Sequence, residues 1–275
     1  MKTFVSDLKK YWEDRPFLWN EPGEGFAKKI RFPTDATVLV LAPHPDDPES
    51  VSITCRVLMR LGCDFWVTIV TLSPSGVEDK YAQPYHNNTP IPLKDIKIEI
   101  RKREQALATE RFGLPPDRLA FLGIDEDEGL DALSVSAKIK DHLLAIAPDI
   151  VIIPIGKDLN RTHARVYRVF REHARDLTLK KEKPVVALYN EDPKTVEIRS
   201  DLFVLFGEES AEWKRALLRM HDSQQQRNMN SSSMGFDERI LGMNHLSYKR
   251  LQEMLPYTQS SARYSEVFEI EIFDV

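Results

Sequence analysis

The chain has 275 residues, of which 42% are hydrophobic, so one large α/β domain or two small ones with a buried core can form. Its 38 basic and 43 acidic side chains give a net charge of -5, and no long basic stripe indicates a nucleic-acid partner. No apolar run reaches the roughly 18 residues that span a bilayer, and no secretory segment is recognisable. These observations exclude a membrane span and disfavour nucleic-acid binding.

The two cysteines, Cys55 and Cys63, lie in or just after an apolar helical pattern. We therefore expect structural thiols and a cytoplasmic location, because a reducing compartment keeps such cysteines unpaired.

Residues 1–35 precede the first buried strand and carry aromatic patches at 11–12, 17–19 and 26, which residues 21–25 interrupt. The pattern predicts a short helix and a loop that pack these aromatic side chains onto the main domain. Two roles stay open for this extension, a wall of the substrate cleft or a contact between copies in a homo-oligomer.

Residues 38–50 join a buried strand to a helix through a turn rich in polar side chains. Residues 38–42 are apolar, and the prolines at 43 and 45 then end the strand before His44, Asp46 and Asp47. Open α/β sheets bind ligands where a strand ends and a helix begins. His44 and Asp47 offer ligands suited to Zn²⁺, and Asp46 between them is placed to act as a general base.

The next hundred residues alternate between helical and strand patterns, as parallel sheets with crossover helices do. Helices are predicted at 49–62, 95–112 and 131–146, and strands at 65–72 and 118–124. Residues 73–94 are polar and proline-rich, and this length for a loop predicts a lid or a wall of the substrate site.

A second strand-to-helix junction carries another histidine. Residues 149–155 form an apolar strand, and His163 follows at the start of a helix that ends near residue 176. Because the carboxyl ends of parallel strands share one edge of a sheet, His163 and the turn at 44–47 can converge. Two histidines and Asp47 with an open fourth position are typical of a catalytic zinc site.

The C-terminal third mixes strands and helices. Strands are predicted at 185–189, 195–206 and 269–273, helices at 208–225 and 237–254, and a flexible polar link at 225–233.

Four motifs, in this order, resemble those of the LmbE-like or PIG-L-like N-acetylglucosaminyl deacetylase family. They are His-Pro-Asp-Asp at 44–47 with Pro-Glu following, Arg-x-x-Glu at 101–104, Asn-Arg-Thr-His at 160–163 and Tyr-Ser-Glu-Val-Phe at 264–268. The resemblance covers residues 36–273. It implies an α/β fold with a Rossmann-like, mostly parallel sheet flanked by helices and a smaller C-terminal strand and helix part. We accordingly divide the chain into an extension, 1–35, and a deacetylase domain, 36–275.

The resemblance implies a zinc-dependent hydrolase that removes an N-acetyl group from a glucosamine-type sugar or sugar conjugate. His44, Asp47 and His163 would hold Zn²⁺, with Fe²⁺ as the alternative ion. Asp46 would activate a metal-bound water for attack on the amide carbonyl. The implied partner is a small N-acetylated sugar.

Two further residues are implied in binding the substrate. Arg101 would contact a sugar hydroxyl or brace the site through an ion pair, although spacing alone predicts a surface ion pair with Glu104. Asn160 would donate an N–H to the developing oxyanion. The resemblance implies that an acidic residue among 125–128 can touch substrate hydroxyls, whereas a solvated turn is predicted for most of these four residues.

Two departures from the family pattern bear on activity. Thr162 stands where the family commonly has Asp, which removes a carboxylate that would orient the site. Asn160 replaces the histidine of some members, which removes a cationic oxyanion stabiliser. Two alternatives therefore stay open, an amidase of another sugar-linked amide and a catalytically inactive carbohydrate-binding protein of the same fold.

Among the remaining histidines, His142 and His173 fall within helices and are predicted to be structural. His86 and His221 are candidates for the rim of the cleft.

Overall fold

The computed structural model describes residues 1–20, 30–31, 33–87, 90–124, 133–256 and 261–275. The strands in these ranges are β1 (Phe17–Asn20), β2 (Thr37–Ala42), β3 (Asp64–Thr71), β4 (Leu119–Ile124), β5 (Ile150–Pro154), β6 (Val185–Asn190), β7 (Leu202–Phe206) and β8 (Tyr264–Phe273). The α-helices are α1 (Lys2–Lys10), α2 (Asp47–Ser50), α3 (Ser52–Arg60), α4 (Asp79–His86), α5 (Leu93–Phe112), α6 (Leu133–Ile146), α7 (Arg161–Lys181), α8 (Glu208–Leu218), α9 (Asp222–Ser232) and α10 (Phe236–Met254). None of these helices is long and apolar enough to cross a lipid bilayer.

All eight strands form one sheet in the order β1-β7-β8-β6-β5-β2-β3-β4. Neighbouring strands run parallel except where β8 pairs antiparallel with β6 and β7. The predicted α/β fold class, a mostly parallel sheet flanked by helices, is confirmed. The C-terminal part adds β7 and β8 to this same sheet.

An apolar core covers each face of the sheet. Along β2, Val38 and Val40 point into one core and Leu39 and Leu41 into the other, because successive side chains of a strand alternate between faces. All four are buried, which explains why the strand reads as a continuous apolar run. Helix α3 covers the first face, and α6 and α7 cover the second.

The N-terminal segment adds an edge strand that the sequence did not predict. Besides the predicted helix, α1, residues 17–20 form β1, which pairs in parallel with β7. Phe17 and Trp19 are buried in the same core as Phe4 and Leu8. Four residues are too few to show a strand pattern, so β1 depends on the edge that β7 offers. The predicted patch at 26 lies outside the described residues, and the domain boundary at 35/36 stays a prediction.

Two polar segments are more helical than predicted. Much of the segment at 73–94 forms a 3₁₀ turn at residues 74–76 and then α4, and α5 already begins at Leu93. The predicted link at 225–233 is wrong, because these residues mostly belong to α9. The sequence of α9 has no apolar periodicity, and hydrogen bonds stabilise the helix instead. Asn228 donates to the carbonyl of Gln224, and Asn230 donates to Glu78.

Two predicted helices are divided in the structure: the one at 49–62 into α2 and α3, and the one at 208–225 into α8 and the start of α9. Several other predicted elements differ at their ends. Of the strand predicted at 195–206, however, only residues 202–206 form β7, and the predicted last strand is longer, since β8 begins at Tyr264. Asp201, just before β7, is tied to Arg15 and Arg199, so ionic contacts fix the approach to the strand. The acidic residues 125–128 lie outside the described part of the chain.

A buried ion pair fixes the helices that follow β2. The Lys214 ammonium of α8 lies 2.7 Å from a carboxylate oxygen of Glu266 in β8 and 2.5 Å from the Ser50 carbonyl oxygen at the end of α2. Glu266 also accepts hydrogen bonds from the backbone N–H groups of Ile53 and Thr54 at the start of α3. Burial lowers the pKa of Lys214 and Glu266 opposes this effect, so the pair joins α8, β8 and the α2–α3 junction.

Replacing Lys214→Met is expected to lower the free energy of unfolding by about 3–5 kcal/mol, because it leaves the Glu266 carboxylate buried without a cation. Urea unfolding of the variant and the parent measures the difference. Lys249→Met, at an exposed position of α10, is the matched control. A loss no larger than that of the control would contradict the structural role of the pair.

Candidate active site and metal centre

The residues predicted to form the site do meet at one edge of the sheet. His44, Asp46 and Asp47 directly follow β2, and His163 lies in the first turn of α7, which follows β5. Because β2 and β5 are adjacent and parallel, their carboxyl ends lie side by side. This pairing brings together residues that are more than a hundred positions apart in the sequence.

His44, Asp47 and His163 form a compact group of potential metal ligands. His163 Nε2 lies 3.2 Å from His44 Nδ1 and 3.6 Å from Asp47 Oδ1, and His44 Nδ1 lies 3.3 Å from Asp47 Oδ2. Ligand atoms at about 2.0–2.1 Å from a tetrahedral Zn²⁺ would be about 3.3 Å apart, so this donor set fits one ion.

Two carboxylates flank His163. Its Nδ1 lies 3.1 Å from Asp158 Oδ2, and its Nε2 faces Asp47. Burial alone would lower the pKa of His163, but Asp47 and Asp158 hold it well above its ordinary value. Burial likewise would raise the pKa of Asp47, but His163 and His44 lower it. An imidazole flanked in this way is fixed in orientation, as metal-ligating histidines commonly are.

Asp158 and Asp192 are residues of the site that the sequence analysis missed. The carboxylate that Thr162 does not provide comes instead from Asp158, five positions before His163. Asp192 follows β6 at the same edge of the sheet and, with Asp158 and His163, forms a second group of potential ligands. Burial raises the pKa of Asp192 to about 6, with the neighbouring carboxylates adding to the effect of burial and His163 opposing it. Both acids could have been predicted from the sequence, because each stands just past a buried strand.

Asp46 is held in a backbone conformation that favours glycine. Its φ is 94°, and its backbone N–H donates to Gln105 Oε1 at 3.0 Å. Arg101 Nη2 donates to Asp46 Oδ1 at 2.9 Å and also to the Pro45 carbonyl. Two side chains of α5 therefore keep this carboxylate in place against the strain of its backbone.

Arg101 and Glu104 do not form the surface ion pair that their spacing predicts. Arg101 is only 2% exposed and pairs with Asp46. Glu104 is buried and accepts two hydrogen bonds from Ser223 at the start of α9, from the backbone N–H and the hydroxyl, both at 2.7 Å. The two side chains point to different partners because α5 packs between the β2–α2 turn and α9.

His221 lies behind the site rather than on its rim. It is fully buried, and its Nε2 lies 3.0 Å from Glu49 Oε2 in an ion pair. Glu49 Oε1 in turn accepts a hydrogen bond from Gln105, whose oxygen holds the Asp46 backbone. Burial would lower the pKa of His221, but Glu49 raises it above the usual value. His86, the other histidine predicted at the rim, is not among the described residues that line the cleft.

The group opens into one polar cleft of about 490 Å³. The residues that line it are His44, Asp46, Asp47, Ser73, Ser75, Gly76, Arg101, Leu159, Asn160, Arg161, Thr162, His163, Asp192, Pro193, Lys194, Gln224, Arg227, Asn228, Ser231, Phe236, Arg239 and Ile240. Residues 73–76 thus form part of the wall. Asn160 caps α7, since its side-chain oxygen accepts from the Thr162 N–H at 3.0 Å.

Replacing His221→Gln is expected to change how stability depends on pH. A charged His221 with a raised pKa stabilises the fold fully below its unfolded pKa of about 6.5, and this contribution is lost as pH rises through the folded pKa. The difference in free energy of unfolding between parent and variant should be largest below about pH 6.5 and shrink toward pH 9. Urea unfolding at several pH values measures it. Glu49→Gln should show the same trend, whereas a constant difference across the range would contradict the ion pair.

Residues 39–174 match the model of the PIG-L family, described as GlcNAc-PI de-N-acetylase. No curated protein matches the chain.

Several solved structures share the fold. The N,N'-diacetylchitobiose deacetylase from Pyrococcus horikoshii has a TM-score of 0.65 and 16% identity, with 86% of this chain and 84% of that one covered. The 4-carboxy-2-hydroxymuconate hydratase of Pseudomonas putida KT2440 has a TM-score of 0.63 and 18% identity, covering 88% and 98%. The zinc-inhibited form of a teicoplanin deacetylase has a TM-score of 0.55 and 16% identity, covering 86% and 99%. The chain therefore resembles the PIG-L, or LmbE-like, family over residues 39–174, and it shares its fold with these solved structures.

Proposed function

We propose that this protein is a metal-dependent hydrolase that removes an N-acetyl group from a glucosamine-type sugar or sugar conjugate. The observation that carries the proposal is the convergence of His44, Asp47 and His163 beside Asp46 in one cleft. The family is described by its de-N-acetylase activity, and deacetylases are among the proteins that share the fold.

His44, Asp47 and His163 would hold Zn²⁺ or Fe²⁺, since two imidazoles and a carboxylate suit both ions. When bound there, the ion supplies a Lewis acid that polarises the acyl carbonyl and makes water more acidic. Asp158 would fix the ring of His163 through Nδ1, so that Nε2 faces the ion. Its contact compensates for the absence of a carboxylate at Thr162.

Asp46 would carry the proton. Arg101 already binds its Oδ1, which leaves Oδ2 as the oxygen that can accept a proton from the attacking water. The water oxygen forms a bond to the acyl carbon, the C–N bond breaks, and Asp46 returns its proton to the leaving amine. The products are acetate and the free amino sugar. The contact of Arg101 with Asp46 favours the bracing role over a contact with substrate.

Asn160 would stabilise the developing oxyanion. Its side-chain oxygen is engaged by the Thr162 N–H, so the amide N–H groups are the part that can bind substrate. Asn160 lines the cleft with His163. A neutral amide donates a weaker hydrogen bond than an imidazolium, so we expect a slower chemical step than a histidine at this position would give.

The fold alone does not determine the reaction, since a hydratase has the same fold. Metal content and turnover must therefore distinguish the deacetylase from an amidase of another sugar-linked amide and from an inactive carbohydrate-binding protein. We place the activity in the cytoplasm because Cys55 and Cys63 are both free and buried thiols.

Purified protein is expected to contain about one equivalent of metal, and His163→Ala should lose most of it because one of three ligands is gone. Asp46→Asn should keep the metal yet lose about 100-fold or more in deacetylation of N-acetylglucosamine conjugates, since general-base catalysis contributes that much. Elemental analysis after dialysis and release of acetate measure the two effects.

A parent protein without metal, even after addition of Zn²⁺ or Fe²⁺, would contradict the hydrolase mechanism and leave sugar binding as the function. Turnover of other sugar-linked amides but not of N-acetyl groups would favour the amidase.

Replacing Asp158→Asn is expected to weaken metal binding about 10- to 100-fold, because the carboxylate that orients His163 becomes a neutral amide. Competition with a chelator measures the affinity. Asp141→Asn, at an exposed position of α6, is the control for the same change of charge. Equal affinities in the two variants would contradict the orienting role of Asp158.

A further inference from the structure

Helix α5 holds Asp46 at two points. Arg101 Nη2 donates to Asp46 Oδ1 at 2.9 Å, and the backbone N–H of Asp46 donates to Gln105 Oε1 at 3.0 Å. Arg101 and Gln105 are four positions apart, so they lie on the same face of the helix. One turn of α5 therefore fixes the carboxylate of Asp46 through an arginine and its backbone through a fully buried glutamine.

The backbone contact is needed because Asp46 has a conformation that a residue with a side chain disfavours. Its φ of 94° and ψ of -24° lie in the left-handed region, where the Cβ atom crowds the backbone. Such a conformation persists only where neighbouring contacts impose it. Relaxation to a negative φ would turn the carboxylate in a different direction from the chain and would move Oδ2 with it.

The metal ligands are held by other contacts. Asp47 Oδ2 accepts the backbone N–H of His44 at 2.7 Å, and Asp158 Oδ2 lies 3.1 Å from Nδ1 of His163. Neither contact involves Gln105. A change at Gln105 is therefore expected to displace the general base and to leave the metal ligands in place.

The side-chain amide of Gln105 has an acceptor end and a donor end, and its neighbours determine which end faces Asp46. The backbone N–H of Asp46 can only donate, so it requires the amide oxygen. Glu49 Oε1 lies 2.9 Å from Gln105 Nε2, and a carboxylate oxygen accepts, so it requires the amide NH₂ group. Thr109 Oγ1 is a further acceptor for this group at 3.2 Å. These contacts agree on one orientation of the amide.

Glu49 is held in turn by His221, whose Nε2 lies 3.0 Å from Glu49 Oε2. Both side chains are buried. His221 directly precedes α9, and Ser223 in the first turn of that helix donates twice to Glu104 of α5. The wall of the cleft that α9 forms is thereby joined to α5 and to the turn after β2.

We propose that Gln105 is a positioning residue for Asp46, and that Glu49 and His221 set the orientation of its amide. The inference rests on the proposed deacetylation, in which Asp46 takes a proton from the attacking water. Gln105 is not among the described residues that line the cleft, so it acts on the reaction through Asp46. A displacement of the general base by about 1 Å is enough to slow the chemical step strongly.

Replacing Gln105→Met removes the acceptor and keeps the length of the side chain. The kcat for deacetylation is expected to fall about ten- to a hundredfold, because the general base is displaced. The KM and the metal content should stay within about twofold of the parent values, since the cleft and the metal ligands are unchanged. Release of acetate and elemental analysis measure these effects.

Asn244→Leu is the matched control. Asn244 is a buried amide of α10 that donates to the Ser265 carbonyl at 3.1 Å and is not among the described residues that line the cleft. This variant also loses a buried amide, but its kcat should equal that of the parent. A kcat of Gln105→Met equal to the parent value would overturn the inference.

An exchange of donor and acceptor tests the role of Glu49, and it decides the matter if Gln105→Met does not fold. Gln105→Glu brings two carboxylates into contact and should lower kcat about tenfold or more. Adding Glu49→Gln should restore most of this loss, because the carboxylate at position 105 then accepts from both the Asp46 N–H and the amide at position 49. A double variant no more active than Gln105→Glu alone would contradict the proposed orientation.

Hydrogen exchange of the Asp46 amide tests the inference without turnover. Nuclear magnetic resonance should show exchange at least about tenfold faster in Gln105→Met than in the parent, because the N–H loses its buried acceptor. Asn244→Leu should leave the rate unchanged. If the parent hydrolyses no amide, the proposed function fails, and the exchange rates still decide whether Gln105 holds Asp46. Equal rates in Gln105→Met and the parent would show that it does not.

Discussion

The placement of His163 between Asp47 and Asp158 is the constraint on which the rest of the site depends. It requires β2 and β5 to be neighbours, because Asp47 follows one strand and His163 the other. It also requires the turn after β5 to bring Asp158 back to the ring of His163. With both ring nitrogens engaged by acids, the imidazole has one orientation, and His44 completes the group at 3.2 Å. The sheet, its two covered faces and the cleft all keep His163 between Asp47 and Asp158.

The site residues that could be predicted are those whose reactive side chains stand just past the end of a strand. His44, Asp46, Asp47 and His163 each follow a buried apolar run, so the edge of a parallel sheet brings them together. Asp158 and Asp192 follow the same rule, but no motif singled them out. The partners of Arg101 and Glu104 depend on which helices pack beside α5, and spacing within one helix does not contain that information. Helix α9 was missed because its stabilising contacts are polar and tertiary.

Charged side chains in the cleft fall into two groups. The acids Asp46 and Asp47 face a guanidinium and two imidazoles, and cationic side chains from α7, α9 and α10 also line the cleft. The match to the family model ends at residue 174, before α9 and α10 begin, so these two helices are a part of the cleft that the family model does not describe.

The position of β8 has a consequence for how the molecule assembles during translation. This strand lies between β6 and β7, so among the described strands β8 alone, residues 264–273, joins β7 and its neighbour β1 to the rest of the sheet. Because residues are translated in order, β1 is made long before β8, the strand that completes its part of the sheet. Until β8 is synthesised, the apolar side chains of Phe4, Leu8, Phe17 and Trp19 have no finished edge to cover. Contacts between segments so far apart in the sequence form slowly, so these aromatic side chains are covered late in folding.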